Sequence, residues 1–367
     1  MGGQGTWFLL IDSEDPVART RAYDAAEVPT RVGEASCCGR LREETAVDGI
    51  RDLGGEVFEI DTLMGGHAGI TAGYLIRSDR PCLVETGTAL SAATVIDSLA
   101  TLGIGRDDLA TVVVTHIHLD HAGGVGDIAE AFPRAQVVVH ELGARHLVDP
   151  TKLVASAHRV FGPVMDELFG DLKPTDAARV VALGEVGEID LGGGRRLEAF
   201  HAPGHASHHV GLLDPDTGDL YTGDAAGVYV PEADELRPAT PPPDFNLDLA
   251  LASMDRMREV APLRLLFAHY GPVTAVGSAL DRSEAVLRHW VEMVREARSL
   301  NMDLDHAVVM VRERTPISFK GSASPEEREA TWEFLSSTAA NVAGISRWLD
   351  QAEGPGSTSG DAASVAR

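Results

Sequence analysis

The chain has 367 residues, 44% of them apolar, with 38 Gly and 19 Pro, which is enough to bury one substantial core together with an appended element. Its 31 basic and 56 acidic residues leave a formal charge of -25, a field that repels phosphate backbones, and no apolar run approaches the roughly 20 residues of a membrane-spanning helix. Nucleic-acid and membrane partners are therefore not expected. The Trp7 to Ile11 run is too short for a signal peptide and lacks a basic flank, and Cys37, Cys38 and Cys82 form no CxxC spacing, so a cytoplasmic location without structural disulfides is expected.

Residues 1–50 are charged, rich in turn-formers and without a sustained apolar period, which predicts an N-terminal extension outside the core. From Val57 short β-branched and aromatic runs follow one another, VFEIDTLM, GYLIRSD and CLVETG, and these predict consecutive strands. Leu90 to Leu102 has helical spacing, ended by Gly103. A strand at Ala110 to Thr115, a helix at Gly126 to Phe132 and a strand at Ala135 to His140 give a βαβ rhythm and hence a layered α/β domain over residues 51–275. Thr151 to Phe169 reads as a helical insert. Strands are predicted again at Arg196 to His201, Val210 to Leu213, Leu220 to Tyr221 and Leu263 to His269, with a proline-rich loop at Pro241 to Asp244. Helices at Ser278 to Leu300, Leu304 to Glu313 and Pro325 to Ala352 predict a C-terminal helical subdomain over residues 276–352. A Gly/Ser/Ala tail over 353–367 reads as disordered.

One segment concentrates metal-binding side chains: Thr115-His116-Ile117-His118-Leu119-Asp120-His121-Ala122-Gly123-Gly124. In an extended chain His116, His118 and Asp120 share one face while Ile117 and Leu119 enter the core. His121 breaks the alternation and calls for a turn after Asp120, for which Ala-Gly-Gly offers backbone freedom. Imidazoles and a carboxylate at this density suit zinc or another borderline transition metal.

On this HxHxDH segment the sequence resembles the metallo-β-lactamase superfamily, and further residues carry the resemblance. They are Pro203-Gly204-His205, Tyr221-Thr222-Gly223-Asp224 and Ala268-His269-Tyr270-Gly271. The resemblance implies an αββα sandwich in which His116, His118 and His205 hold a first metal, Asp120, His121 and His269 hold a second, and Asp224 is shared. It implies two zinc ions, with iron or manganese as alternatives, and a small-molecule ester, thioester or lactone as substrate, as in glyoxalase II-like hydrolases and lactonases. Asp120 would orient or deprotonate the attacking water. Tyr270 is either a donor to the oxyanion or leaving group, or a packing residue. Glu85, where the family commonly has aspartate, would brace a ligand imidazole, and His209 would stand behind the ligands. His208 is left between solvent-facing and substrate-facing, and His201 reads as a hydrogen-bonded core histidine. The glutamate of electron-transferring relatives is replaced by His118, which argues against a redox diiron centre. A mononuclear-iron persulfide dioxygenase and a non-catalytic ligand-binding protein are the competing readings. The apolar side chains of the insert, the Pro241 to Asp244 loop and the C-terminal helices predict a pocket wall for an acyl or otherwise apolar substrate.

Overall fold

The β-branched runs pair in the order in which they occur. The protein is described by a computed structural model over residues 49–319, 324–335 and 337–353, so most of the N-terminal extension and of the tail lies outside the described residues. β1 (Ile50–Asp52), β2 (Val57–Asp61), β3 (Ala72–Ile76) and β4 (Cys82–Val84) form an antiparallel meander. β5 (Thr111–Val113), β6 (Gln136–His140) and β7 (Val180–Leu183) then add to β4 in parallel. Parallel neighbours need crossovers, and these are helical. α1 (Ala92–Thr101) precedes β5, α2 (Leu119–Ala122) and α3 (Val125–Ala131) precede β6, and α4 (Glu141–Val148) and α5 (Thr151–Phe161) precede β7.

A second sheet follows from β8 (Val186–Gly192), β9 (Arg195–His201), β10 (Val210–Asp214) and β11 (Asp219–Gly223). The chain then makes a small ribbon, β12 (Val228–Val230) and β13 (Glu235–Arg237), and the helix α6 (Leu247–Glu259) before β14 (Arg264–Phe267) and β15 (Gly271–Val273) complete that sheet. α7 (Val276–Ser299), α8 (Leu304–Arg314), α9 (Pro325–Leu335) and α10 (Thr338–Glu353) close the described chain.

Alternation along the strands assigns the layers. In β3, Ala72, Tyr74 and Ile76 face one apolar cluster while Leu75 faces another, and in β6 Val138 parts company with Val137 and Val139 in the same way. The shared cluster, which takes Val84 and Val113 from the first sheet and Leu197, Leu212 and Leu266 from the second, is the inter-sheet core. Outside it, Val95, Ile128 and Phe161 pack their helices on the first sheet, and Met254, Trp290, Val311 and Ile345 pack theirs on the second. The result is the αββα sandwich. α7, α8 and α10 share their apolar cluster with Leu220, Leu265 and Phe267 and form the outer layer of the second sheet, whereas Trp332 of α9 joins the cluster of the first.

Several elements depart from the sequence expectation. The helix expected over Pro325 to Ala352 is two helices, because the Ser337 hydroxyl accepts Ala340 N-H at 3.3 Å and caps a new start. α6 escaped the periodicity reading although Asn246 caps it, its Oδ1 accepting Leu249 N-H at 3.1 Å. β1, β7 and β8 are short or alternate with glycine and acidic residues, and their pairing comes from the sheet rather than from propensity. The buried faces of Leu153, Ala157, Phe161, Met165 and Leu168 place the apolar stripe of the 151–169 insert in the core, not on an open pocket wall. No described helix is long and apolar enough to cross a membrane.

Candidate metal centre

The His-rich segment turns sooner than alternation predicted. β5 ends at Val113, His118 is still extended with φ -61° and ψ 149°, and α2 begins at Leu119, so no turn waits until after Asp120. A helix advances roughly 100° per residue where a strand advances about 180°, and this lets the adjacent Asp120 and His121 both reach the centre. Ile117 and Leu119 enter the core as expected. Gly123 serves close packing rather than chain freedom. Its φ is an ordinary helical -58°, but a Cβ there would stand 2.8 Å from Ala89 N and 2.9 Å from Thr88 Cα.

Three nitrogens converge first. His116 Nε2 lies 3.0 Å from His118 Nδ1, and His205 Nε2 lies 2.9 Å from His118 Nδ1 and 3.2 Å from His116 Nε2. Tetrahedral ligands at about 2.0–2.1 Å from an ion would stand roughly 3.3 Å apart, close to this spacing. A second group lies alongside. Asp120 Oδ2 is 3.4 Å from His121 Nε2 and 3.2 Å from His269 Nε2. Asp224 serves both groups with different oxygens. Its Oδ1 lies 3.6 Å from His121 Nε2 and 3.7 Å from His269 Nε2, while its Oδ2 lies 3.6 Å from His205 Nε2. All seven side chains are buried.

Hydrogen bonds behind the rings determine what faces inward. His116 Nδ1 meets Thr115 Oγ1 at 3.0 Å, His205 Nδ1 meets the Ala239 carbonyl at 3.0 Å and His269 Nδ1 meets the Ile70 carbonyl at 3.1 Å. A carbonyl can only accept, so His205 and His269 donate through Nδ1, and in the neutral rings their Nε2 atoms are lone pairs. His269 therefore aims a lone pair at two carboxylates, and three imidazole nitrogens of the first group share at most one proton, on His118. Such a convergence of acceptors calls for a cation. His121 Nε2, His269 Nε2 and Asp224 Oδ1 are moreover buried without a hydrogen-bond partner. The donor set thus fits divalent transition metal ions.

The charge balance of the protein alone agrees. Burial, reinforced by neighbouring imidazoles, holds His116 and His118 well below the ordinary histidine range, and burial also lowers His205. Burial would likewise depress His121, yet Asp120 and Asp224 outweigh it and hold that ring well above its ordinary value. Both carboxyls sit below theirs, since the facing imidazoles overcome a burial that would raise them.

Glu85 braces a ligand imidazole one step removed from the direct contact the resemblance implied. Its Oε1 accepts Thr115 N-H at 3.2 Å and Thr115 O-H at 2.5 Å, and that hydroxyl in turn accepts from His116 Nδ1. Thr115 was missed, although it immediately precedes His116. His209 stands behind the ligands, its Nε2 accepting Asp224 N-H at 3.1 Å and its ring lying 4.9 Å from that of His116. Gly223, at φ +49°, leaves no room for a Cβ, which would overlap His209 Nε2 and Thr115 Oγ1. His208 faces neither solvent nor an open pocket. It is 3% exposed, its Nδ1 accepts Ile117 N-H at 3.4 Å, and burial pushes its pKa down to about 3. Tyr270 packs against the inter-sheet cluster, where burial, with Glu59 and Asp61 nearby, pushes its hydroxyl up.

Two other groupings are weaker. His201 meets Ser207 O at 2.8 Å and Glu185 at 3.2 Å and stacks on His140 with centroids 4.4 Å apart and planes 12° apart. Near-parallel stacked rings do not aim two nitrogens at one ion, and His140 Nδ1 already accepts Leu142 N-H. His158 with Asp166 and Asp171 lies largely exposed. His67 belongs to no ligand group among the described residues. A narrow crevice of about 20 Å³, room for about one water molecule, lies against His205 and Asp224 and is walled by Ala225, Arg237, Ala239, Phe245, Ser283 and Leu287.

The family model of the metallo-beta-lactamase superfamily matches residues 67–269. The chain is 32% identical over 193 residues to the metallo-beta-lactamase fold-containing protein ST1585 of Sulfurisphaera tokodaii, covering 52% of this chain and 71% of that protein. The crystal structure of ST1585 from Sulfolobus tokodaii aligns over 76% of this chain and 93% of its own, with a TM-score of 0.55 at 23% identity. A hydroxyacylglutathione hydrolase of Synechococcus sp. is 25% identical over 187 residues, 51% of this chain and 58% of the relative. A putative diflavin flavoprotein of Thermosynechococcus vestitus is 24% identical over 230 residues, 59% of this chain but 36% of the relative.

Proposed function

From the premise that the chain belongs to the metallo-β-lactamase superfamily, we propose that it is a binuclear metallohydrolase acting on a small ester, thioester or lactone. The observation that carries this reading is Asp224, whose two oxygens face different imidazole groups. In it, His116, His118 and His205 would hold one ion, Asp120, His121 and His269 would hold the other, and Asp224 would serve both. Zinc suits the mixture of nitrogen and carboxylate donors. A pair of such ions supplies Lewis acidity toward a carbonyl and activates water near neutral pH.

The chain's own residues do the rest. Glu85 and Thr115 keep the proton of His116 on Nδ1, so that Nε2 faces inward. Ile70 and Ala239 do the same for His269 and His205. Asp120, held ionised by its imidazole neighbours, would give Oδ2 to the ion and use its other oxygen to orient the attacking water and take its proton. The apolar side chains beside His205 and Asp224, among them Phe245 and Leu287, keep bulk water from that side of the centre. The resemblance to a hydroxyacylglutathione hydrolase supports a thioester among the substrates to be tried.

Elemental analysis of protein purified without chelators, with His116→Ala and Asp224→Ala alongside, tests the reading. Nearly two zinc ions per chain, reduced in both variants, together with turnover of thioester or lactone, is the expected result. About one iron per chain with little zinc would replace it with the persulfide dioxygenase reading.

A further inference from the structure

The last helix of the described chain is joined to the candidate metal centre by a short series of hydrogen bonds. Asn341, in α10, is 2% exposed. Its Oδ1 accepts Thr240 N-H at 2.6 Å and lies 3.0 Å from the Thr240 hydroxyl, and its backbone carbonyl lies 3.1 Å from that same hydroxyl. Its Nδ2 donates to Ser337 O at 3.2 Å, which holds the amide in one orientation. Gly344, one turn further on, brings the helix backbone against the same loop, because a Cβ there would overlap Thr240 O. Thr240 follows Ala239, whose carbonyl accepts from His205 Nδ1 and so turns Nε2 toward His116 and His118.

The loop after β13 has no strand partner of its own at this point. It is held from one side by Asp244, which accepts Ser207 N-H at 3.0 Å and its hydroxyl at 2.6 Å, and from the other by Asn341. Without the second anchor the Ala239 carbonyl loses its fixed position, and with it the ring of His205 loses its fixed tautomer and angle.

We propose that Asn341 is a positioning residue of the metal centre, acting through Thr240 and the Ala239 carbonyl on His205. The inference rests on the metal centre proposed above. A merely structural Asn341 would satisfy the buried Thr240 N-H and do nothing else, so the test needs a readout beyond stability and activity. The full chain is stripped of metal and titrated with Co²⁺ against a competing chelator, with the visible d–d absorption recorded. Asn341→Ala is expected to weaken the first bound Co²⁺ by roughly tenfold, the lower end for groups that orient a ligand imidazole, and to change the d–d band. Asn341→Asp keeps the Oδ1 that accepts Thr240 N-H but loses the Nδ2 donor to Ser337 O, and is expected to fall between the parent and Asn341→Ala on the same scale.

The control is Ile345→Ala, which empties a fully buried position on the same helix and leaves the hydrogen-bonding groups of Asn341 and Thr240 in place. It is expected to lower Tm at least as much while leaving Co²⁺ affinity and spectrum unchanged. Unchanged affinity in Asn341→Ala, or an equal weakening in Ile345→Ala, would overturn the proposal. Should Asn341→Ala not fold, Thr240→Val removes only the hydroxyl, and an affinity equal to the parent's would count against the proposal in the same way. A parent protein that binds no Co²⁺ would instead bring down the metal centre itself.

Discussion

β11 has a buried aspartate at each of its ends, and the chain treats the two differently. At the start, Asp219 receives Arg264 Nε and Nη2 at 2.6 and 2.8 Å, and the adjoining Asp214 receives Arg195 at 3.0 and 2.5 Å. Just past the other end, the Asp224 carboxylate is faced by the imidazoles of His121, His205 and His269, and its Oδ1 has no hydrogen-bond partner among the described residues. A buried carboxylate needs a counter-cation within reach. At one end the chain builds that cation in as a guanidinium, and stability is the outcome. At the other it offers imidazoles, of which His121 is held toward its charged form while His116, His118 and His205 are held toward the neutral one, and the remaining positive charge is left to an ion from solution, which leaves coordination chemistry available to a substrate.

The sharpest way to break this contrast is to remove the two carboxylate environments in turn. Asp224→Ala is expected to lower kcat/KM by about ten-thousandfold, roughly 5.5 kcal/mol of transition-state stabilisation, with loss of bound metal. Near-normal activity on the identified substrate would mean that Asp224 is no bridge. Arg264→Ala should instead cost about 3 kcal/mol of folding stability in urea titration, because it strands the buried Asp219, while metal content per folded chain stays that of the parent. If metal content fell with it, the two ends of β11 would not be the separate systems described here.

Metal removal sharpens the same comparison at smaller amplitude. Stripping with a chelator is expected to lower stability by about 2.7 kcal/mol relative to protein held at a hundredfold excess of metal over Kd. The decrement should be the same in the Arg264→Ala background, since distant sites add. A chelated protein with an unshifted Tm would contradict a cation-dependent cluster. The smallest effect is expected at Tyr270. Its ring packs against the inter-sheet cluster, so Tyr270→Phe should change kcat/KM by less than about threefold, or roughly 0.7 kcal/mol. A hundredfold loss would show that the hydroxyl reaches the substrate.

Much of the site was legible because its residue types are rare in combination. His116, His118, Asp120 and His121 within six positions announce ligands whatever the local backbone does, and the glycine-flanked His205, Asp224 and His269 carry the resemblance across the rest of the sandwich. The backbone of that segment was less legible. Alternation placed Asp120 on a strand, whereas the hydrogen bond from Ala122 N to His118 O at 2.8 Å makes it part of a helical turn. The supports were harder still. Thr115 looks like any strand-end threonine, and the carbonyls of Ile70 and Ala239 have no side-chain signature at all. Asn341 lies 101 residues from the loop it holds, and nothing local distinguishes it from a helix-surface asparagine.

The sequence by itself determined which atoms are available for chemistry and which faces of each element are apolar, since side-chain identity and periodicity are local properties. Packing alone brings eight candidate ligand atoms from seven side chains into one buried cluster, divides the oxygens of Asp224 between two groups while giving Asp219 to an arginine, and sets Asn341 of the last described helix against the loop beside His205. The reason is physical: a donor's partner, a ring's tautomer and the fate of a buried charge depend on what packs against them, and in this fold those neighbours come from the other sheet or the outer helices.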